Sequence, residues 1–218
     1  MYLIKTPNFI KKLFPNYFWN IDTTEKVLYI TFDDGPIPEV TPQVLNILDQ
    51  YNAKATFFCV GSNVKKYDSV FNQVIDAGHT IGNHTFTHKD GWQTDRISYF
   101  HDVRHCARLV NSDLFRPPYG RLKMKQAQFL QRHYKIVMWD VLSGDFDPNI
   151  STEKCYKNVI NNATNGSIIV FHDSLKAEQK VLNVLPRVLE YFASLGYRFE
   201  AIDGKLLRNK NRLKKTNF

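Results

Sequence analysis

From Val27 onward, short runs of apolar, β-branched and aromatic residues alternate with longer stretches of helical period, and this alternation constrains the fold more than any other feature. A strand followed by a helix returns to its sheet in parallel, so repeated units of this kind build a parallel α/β structure with helices outside. Seven strands are predicted, at Val27–Phe32, Ala55–Val60, Thr80–Gly82, Leu114–Arg116, Lys135–Asp140, Ile168–Phe171 and Tyr197–Ala201. Helices are predicted at Thr41–Tyr51, Asn63–Ala77, Thr94–Asn111, Lys123–Arg132, Thr152–Asn162 and Gln179–Leu195. Thr41-Pro42 supplies a cap and a first-turn proline, and Gly78 and Gly196 stand where helix ends call for a left-handed residue. With no internal repeat and no low-complexity linker, the units are expected to close into one α/β domain, a distorted (β/α) barrel of about seven parallel strands. That domain spans residues 27–203, between an N-terminal extension (1–26) and a basic C-terminal tail (204–218).

The charge distribution narrows the partners. The formal net charge of +8 resides at the ends: residues 204–218 carry +6 and residues 1–20 carry +3, so the body between them is close to neutral. No specific nucleic-acid partner is expected from such a body. The basic ends could still meet anionic lipid peripherally, although a terminal run of this kind also occurs simply as a solvated tail. Phe9-Ile10 and Leu13-Phe14 fit either a short amphipathic piece on a membrane surface or packing against the barrel. No stretch approaches the ~18 apolar residues of a membrane span, and no secretory pattern is recognised at the N-terminus, so the cytoplasm is the default location. Cys59, Cys106 and Cys155 are an odd, scattered set that implies no disulfide framework, and they read as small buried hydrophobes.

Polar clusters follow the carboxyl ends of the predicted strands, and in a parallel barrel those ends converge on one rim, where catalytic groups sit. Asp33-Asp34 precedes a Gly35-Pro36 turn, so two carboxylates leave one strand end together. Taken alone, such a pair also serves as a cap or a solvated loop. His84 and His88 stand four apart, a spacing that lets two imidazoles reach one ion. Two His and one carboxylate leave coordination positions open, as in a catalytic metal site. His101 and His105 share the spacing but lie within a helix without acids to complete a site, and His79 reads as structural. Arg116-Pro117-Pro118-Tyr119 forms a rigid loop that can hold an arginine against a carboxylate and offer the Tyr119 amide to an oxyanion. Ile168–Phe171 ends in His172.

Taken together, TFDDGP, HTFTH, RPPYG and IIVFHD, in that order, resemble the polysaccharide deacetylase family, the NodB-homology domain of carbohydrate esterases, from about Val27 to Ile202. The resemblance implies hydrolysis of N-acetyl groups on an amino-sugar polysaccharide, with a divalent ion, usually zinc, on Asp34, His84 and His88. It implies Asp33 as general base, Arg116 as its orienting partner, Tyr119 as backbone oxyanion donor and His172 as general acid. Pro117, Tyr119 and Phe146 are expected along the substrate groove. Where relatives usually show a D-x-x-D-W segment, this chain reads Leu142-Ser143-Gly144-Asp145-Phe146, so Asp145 is retained to tune Arg116 or His172 while the groove wall lacks an indole. An O-acetyl esterase acting on a polysaccharide, and a non-catalytic carbohydrate-binding domain, stay open as alternatives.

Overall fold

A computed structural model describes residues 2–205 and 207. In chain order its elements are α1 (Asn8–Leu13), β1 (Val27–Asp33), α2 (Thr41–Gln50), β2 (Thr56–Cys59), α3 (Gly61–Lys66), α4 (Asp68–Asp76), β3 (Thr80–Asn83), α5 (Arg96–Ala107), β4 (Leu114–Phe115), α6 (Met124–Leu130), β5 (Lys135–Ile136), β6 (Val141–Leu142), α7 (Thr152–Ile160), β7 (Ile168–His172), α8 (Glu178–Ser194) and β8 (Arg198–Phe199). Seven parallel strands run in the order β5-β4-β3-β2-β1-β7-β6 and curl into a distorted barrel, and β8 pairs with the first residues of β1.

β1 is buried along its whole length, as a parallel strand covered on both faces must be. Its side chains alternate. Leu28, Ile30 and Phe32 pack outward with Val44 and Leu48 of α2 and Val184, Leu185 and Val188 of α8. Val27 and Tyr29 face the barrel interior with Phe58, Leu114 and Val137. The same parity carries Thr31 and Asp33 inward. Register levels the strand ends: Asp33 pairs with Phe58 and His172, and Asn83 pairs with Cys59 and Phe115. Residues that follow these strands therefore emerge on a single rim.

Two predicted elements are each divided in the structure. Lys135–Asp140 is not one strand, because β5 pairs with β4 at one sheet edge while β6 pairs with β7 at the other, and residues 137–140 cross between them. The predicted helix Asn63–Ala77 breaks at Tyr67 (φ −129°, ψ 50°), whose non-helical backbone ends α3 and begins α4.

The N-terminal segment lies along the crossing. Lys5 bridges Val141, Phe18 bridges Val137 and Asn20 bridges Ser167. Asp140, buried there, takes Lys5 at 2.6 Å, Lys11 at 2.5 Å and the Ser167 hydroxyl at 2.6 Å. Ile10 and Trp19 pack towards the barrel while Phe9 and Leu13 stay exposed. His79 is buried and accepts the Ala55 amide at 3.2 Å. Burial, aided by Lys54, pushes it down to about 4, so it is a neutral structural group. His101 and His105 are exposed on α5, the latter stacked on Phe86. All three cysteines are buried and free. No described helix is long and apolar enough to cross a membrane. Of the basic C-terminal tail, Arg208, Lys210, Arg212, Lys214 and Lys215 lie outside the described residues.

Candidate active site

Asp33 ends β1 pointing inward, and Asp34 follows in the left-handed region at φ 82°, which breaks strand alternation and keeps both carboxylates at the rim. The next residue has to be glycine, since a Cβ on Gly35 would sit 1.9 Å from the Asp173 carboxylate. Asp173 pins this turn. It accepts the Gly35 amide at 3.0 Å and the Thr41 hydroxyl at 2.7 Å, and its own amide donates to the Asp33 carbonyl at 3.2 Å. Burial, with Asp34 nearby, pushes the Asp173 carboxyl up to about 8. The Asn63 side chain donates to the Asp34 carbonyl at 2.8 Å.

His84 and His88 reach Asp34 from the turn after β3. His84 Nδ1 lies 2.7 Å from the Arg116 carbonyl, which can only accept, so the ring's hydrogen sits there and Nε2 turns a lone pair towards Asp34 at 3.8 Å. Burial pushes His84 down to about 4, which keeps it neutral as a ligand must be. His88 Nε2 lies 3.0 Å from Asp34 Oδ1. The Asp34 carboxyl is itself held well below its ordinary value: burial opposes ionisation, but the His88 hydrogen bond and the charge of His172 outweigh it. The three donor atoms lie within 4.8 Å of one another, and Lys176 Nζ already sits 3.0 Å from Asp34 Oδ2, so this carboxylate draws a cation. The donor set fits a divalent ion, whose identity it does not specify.

Arg116 is fully buried, stacked on the Phe58 ring at 4.1 Å. It donates to Asp33 Oδ1 at 2.7 Å, the Thr31 hydroxyl at 2.7 Å, and the Val137 and Met138 carbonyls at 3.1 and 3.0 Å. Its guanidinium therefore orients one carboxylate and plugs the barrel beneath the rim. Opposite, Asp145 is fully buried and accepts both the His172 amide, at 2.7 Å, and His172 Nδ1, at 2.8 Å. Burial alone would push that imidazole down, but the charge and hydrogen bond of Asp145, with Asp34 and Asp33 behind them, raise it to about 9. The hydrogen bonds of Asp145 thus run to His172 rather than Arg116. The Phe146 ring stands 5.0 Å from the His172 ring and 5.1 Å from Tyr2. Tyr119 is exposed with its ring edge-on to His88 at 4.8 Å, and Pro117 is buried behind it.

Strain concentrates here. Of the five non-glycine residues with positive φ among those described, four are Asp34, Thr85, His88 and Tyr119, the pattern of a site that surrounding structure over-determines.

The polysaccharide deacetylase family profile matches residues 20–135, more than half of the chain. The chain belongs to the polysaccharide deacetylase family. This deacetylase is 35% identical over 205 residues to a peptidoglycan-N-acetylglucosamine deacetylase of Bacillus cereus, covering 88% of this chain and 93% of the relative. It is 33% identical over 171 residues to a chitooligosaccharide deacetylase of Azorhizobium caulinodans, covering 74% and 80%. Its fold superposes on the crystal structure of the Bc1960 peptidoglycan N-acetylglucosamine deacetylase with a TM-score of 0.83 at 28% identity, covering 90% of this chain and 95% of that one.

Three residues of the deacetylase's site are given no part by the motif reading, although Asp173 stands inside IIVFHD. Asp102, on α5, accepts the Phe86 amide at 2.7 Å and the Thr87 amide and hydroxyl at 2.9 and 2.8 Å, fixing the turn between the two histidines. Asp173 fixes the turn after β1, and Lys176 reaches Asp34. Asp173 adjoins His172 and carries a signal by position. Asp102 lies mid-helix, where nothing in sequence sets it apart.

Proposed function

We propose that this deacetylase hydrolyses the N-acetyl group of N-acetylglucosamine residues in a glycan, peptidoglycan or a chitin-like oligosaccharide. The observation that carries the reading is the pairing of two differently supported proton-transfer groups across one cation-seeking cluster: Asp33 clamped by Arg116, and His172 clamped by Asp145.

Asp34, His84 and His88 would hold the ion, zinc foremost. A divalent ion there supplies Lewis acidity, polarising the amide carbonyl and easing deprotonation of water. Arg116 holds Asp33 Oδ1, so the proton of the attacking water passes to the second oxygen. As the water oxygen bonds to the acyl carbon, the Tyr119 amide, presented by the left-handed turn at φ 59°, stabilises the oxygen on which charge develops. His172 Nδ1 is committed to Asp145, so Nε2 carries the proton delivered to the departing nitrogen as the carbon–nitrogen bond breaks. Acetate and a free amine result. Phe146, against His172, lines the groove where the acetyl group and its sugar lie.

Metal analysis of the purified protein and acetate release from peptidoglycan, chitin oligomers and acetyl-xylan test this. The expected outcome is one divalent ion per chain and acetate from N-acetylated glycans. Acetate from acetyl-xylan alone would make the protein an O-acetyl esterase, and no acetate from any substrate at full metal occupancy would overturn the enzymatic reading.

A further inference from the structure

Towards the end where the strands begin, away from the rim, the molecule carries features that hydrolysis does not employ. α1 is tied there by Lys11, whose ammonium lies 2.5 Å from Asp140, the carboxylate that also takes Ser167 just ahead of β7. Ile10 turns inward to the cluster of Trp19, Leu130 and Met138, and the Trp19 indole donates to the Phe14 carbonyl at 3.3 Å. The helix is therefore fixed with its other face in water. Phe9 and Leu13, four residues apart and so on one face, are each 69% exposed. Phe14 follows at 40%, and Lys12 is exposed beside them.

The carboxyl end of the chain returns to the same end of the barrel. The Ile202 amide donates to the hydroxyl of Thr56, the first residue of β2, at 2.8 Å. Leu207 is buried with Val27 and Ile168, the first residues of β1 and β7, and with Ile21, against which Phe18 packs. Directly after Leu207 the sequence runs through Arg208, Lys210, Arg212, Lys214 and Lys215 without an acid. Nearby acids are already matched, Glu25 and Glu200 by Arg198 and Asp113 by Lys135, so they do not neutralise that run.

Together the two features select a partner. Exposed apolar side chains on a fixed helix gain by burial in a hydrocarbon boundary, and a cluster of cations is drawn to negative surface potential. A second copy of the chain would bring like charges to the same contact, whereas an anionic bilayer supplies both the hydrocarbon and the opposite charge. We propose that α1 and the basic carboxyl-terminal run dock the protein on a bilayer rich in anionic lipid. Phe9 and Leu13 enter at headgroup level, and the catalytic rim stays turned away from the lipid. This docking is independent of which bond the site cleaves.

The test is sedimentation of the full chain with vesicles of phosphatidylcholine, alone or with about one third phosphatidylglycerol, at ~0.1 M and ~0.5 M salt. Wild type is expected to bind the anionic vesicles at least about tenfold more tightly than the neutral ones, and to lose most of that preference at the higher salt. Joint Phe9→Ser and Leu13→Ser should weaken this binding about tenfold or more at an unchanged melting temperature. Joint Lys210→Gln, Arg212→Gln, Lys214→Gln and Lys215→Gln should weaken it by at least as much. Phe9→Trp keeps an aromatic ring and adds an emission that brominated lipid should quench beyond the wild-type level. Wild type that ignores anionic vesicles, or binding indifferent to the serine changes, overturns the docking. If the serine variant melts early, Phe9→Trp decides, and emission no more quenched than wild type overturns it. Binding that soluble polyphosphate displaces, with that emission unquenched, assigns the cations to an acidic polymer and overturns it too.

Discussion

Asp145→Asn isolates the coupling that, in the mechanism we propose, keeps His172 a proton donor. In the native site a fully buried carboxylate accepts two hydrogen bonds from His172, and the imidazole rises from 6.5 to about 9. That rise corresponds to about 3 kcal/mol in favour of the imidazolium. Asparagine preserves shape but removes the Asp145 charge, the strongest of the raising influences, while burial continues to push the imidazole down. With the imidazole returned to an ordinary value, the protonated fraction falls about tenfold near pH 7.5 and on the order of seventyfold near pH 8.5. The alkaline limb of kcat/KM for acetate release should therefore move down by about 2.5 pH units, with both proteins metal-loaded so that the ion's field is common to them. Imidazole NMR on the metal-free proteins should show the same displacement. The sign for stability follows. A folded-state value raised above the unfolded one stabilises fully below about pH 6.5 and ceases to do so as pH climbs through about 9. Urea unfolding should show that slope in wild type and lose it in Asp145→Asn. An alkaline limb and an imidazole titration both unmoved by the substitution would refute the reasoning.

Asp33→Asn should lower turnover by about 10²–10⁴-fold while retaining the ion, checked by acetate release and elemental analysis on the same sample. His84→Ala should lose both activity and stoichiometric metal, because the remaining Asp34–His88 pair offers too few donors. Arg116→Ala should destabilise the fold by about 3–5 kcal/mol in urea unfolding, since it strands the inward-facing Asp33 and two buried carbonyls. Asp102→Ala should weaken metal binding about 10- to 100-fold by freeing the turn between the histidines, read by competition with a chelator.

The candidate site was legible because parallel topology turns sequence order into spatial convergence. Asp33, Asp34, His84, His88, Arg116 and His172 each follow or end an apolar run, and strand register brings those ends level. The supports were far less legible. Asp102 acts from mid-helix on a turn 15 residues earlier, a contact that no local pattern encodes. The division of the run from Lys135 to Asp140 was hidden because Ile136, Val137 and Met138 look like continuous strand. Only the separate pairing partners at the two sheet edges reveal that the chain is crossing a gap there.

The family match starts at residue 20, yet the stave that bridges the barrel's open seam is drawn from the residues before it. Starting the chain where that match starts would deprive Asp140 of Lys5 and Lys11 together, leaving in the wall a buried anion without these two cations. It would also remove Tyr2, which packs on Phe146 beside His172. The amino end is therefore a structural plank of the barrel mouth, and engineering that treats it as dispensable should expect a leaking wall and a loosened His172.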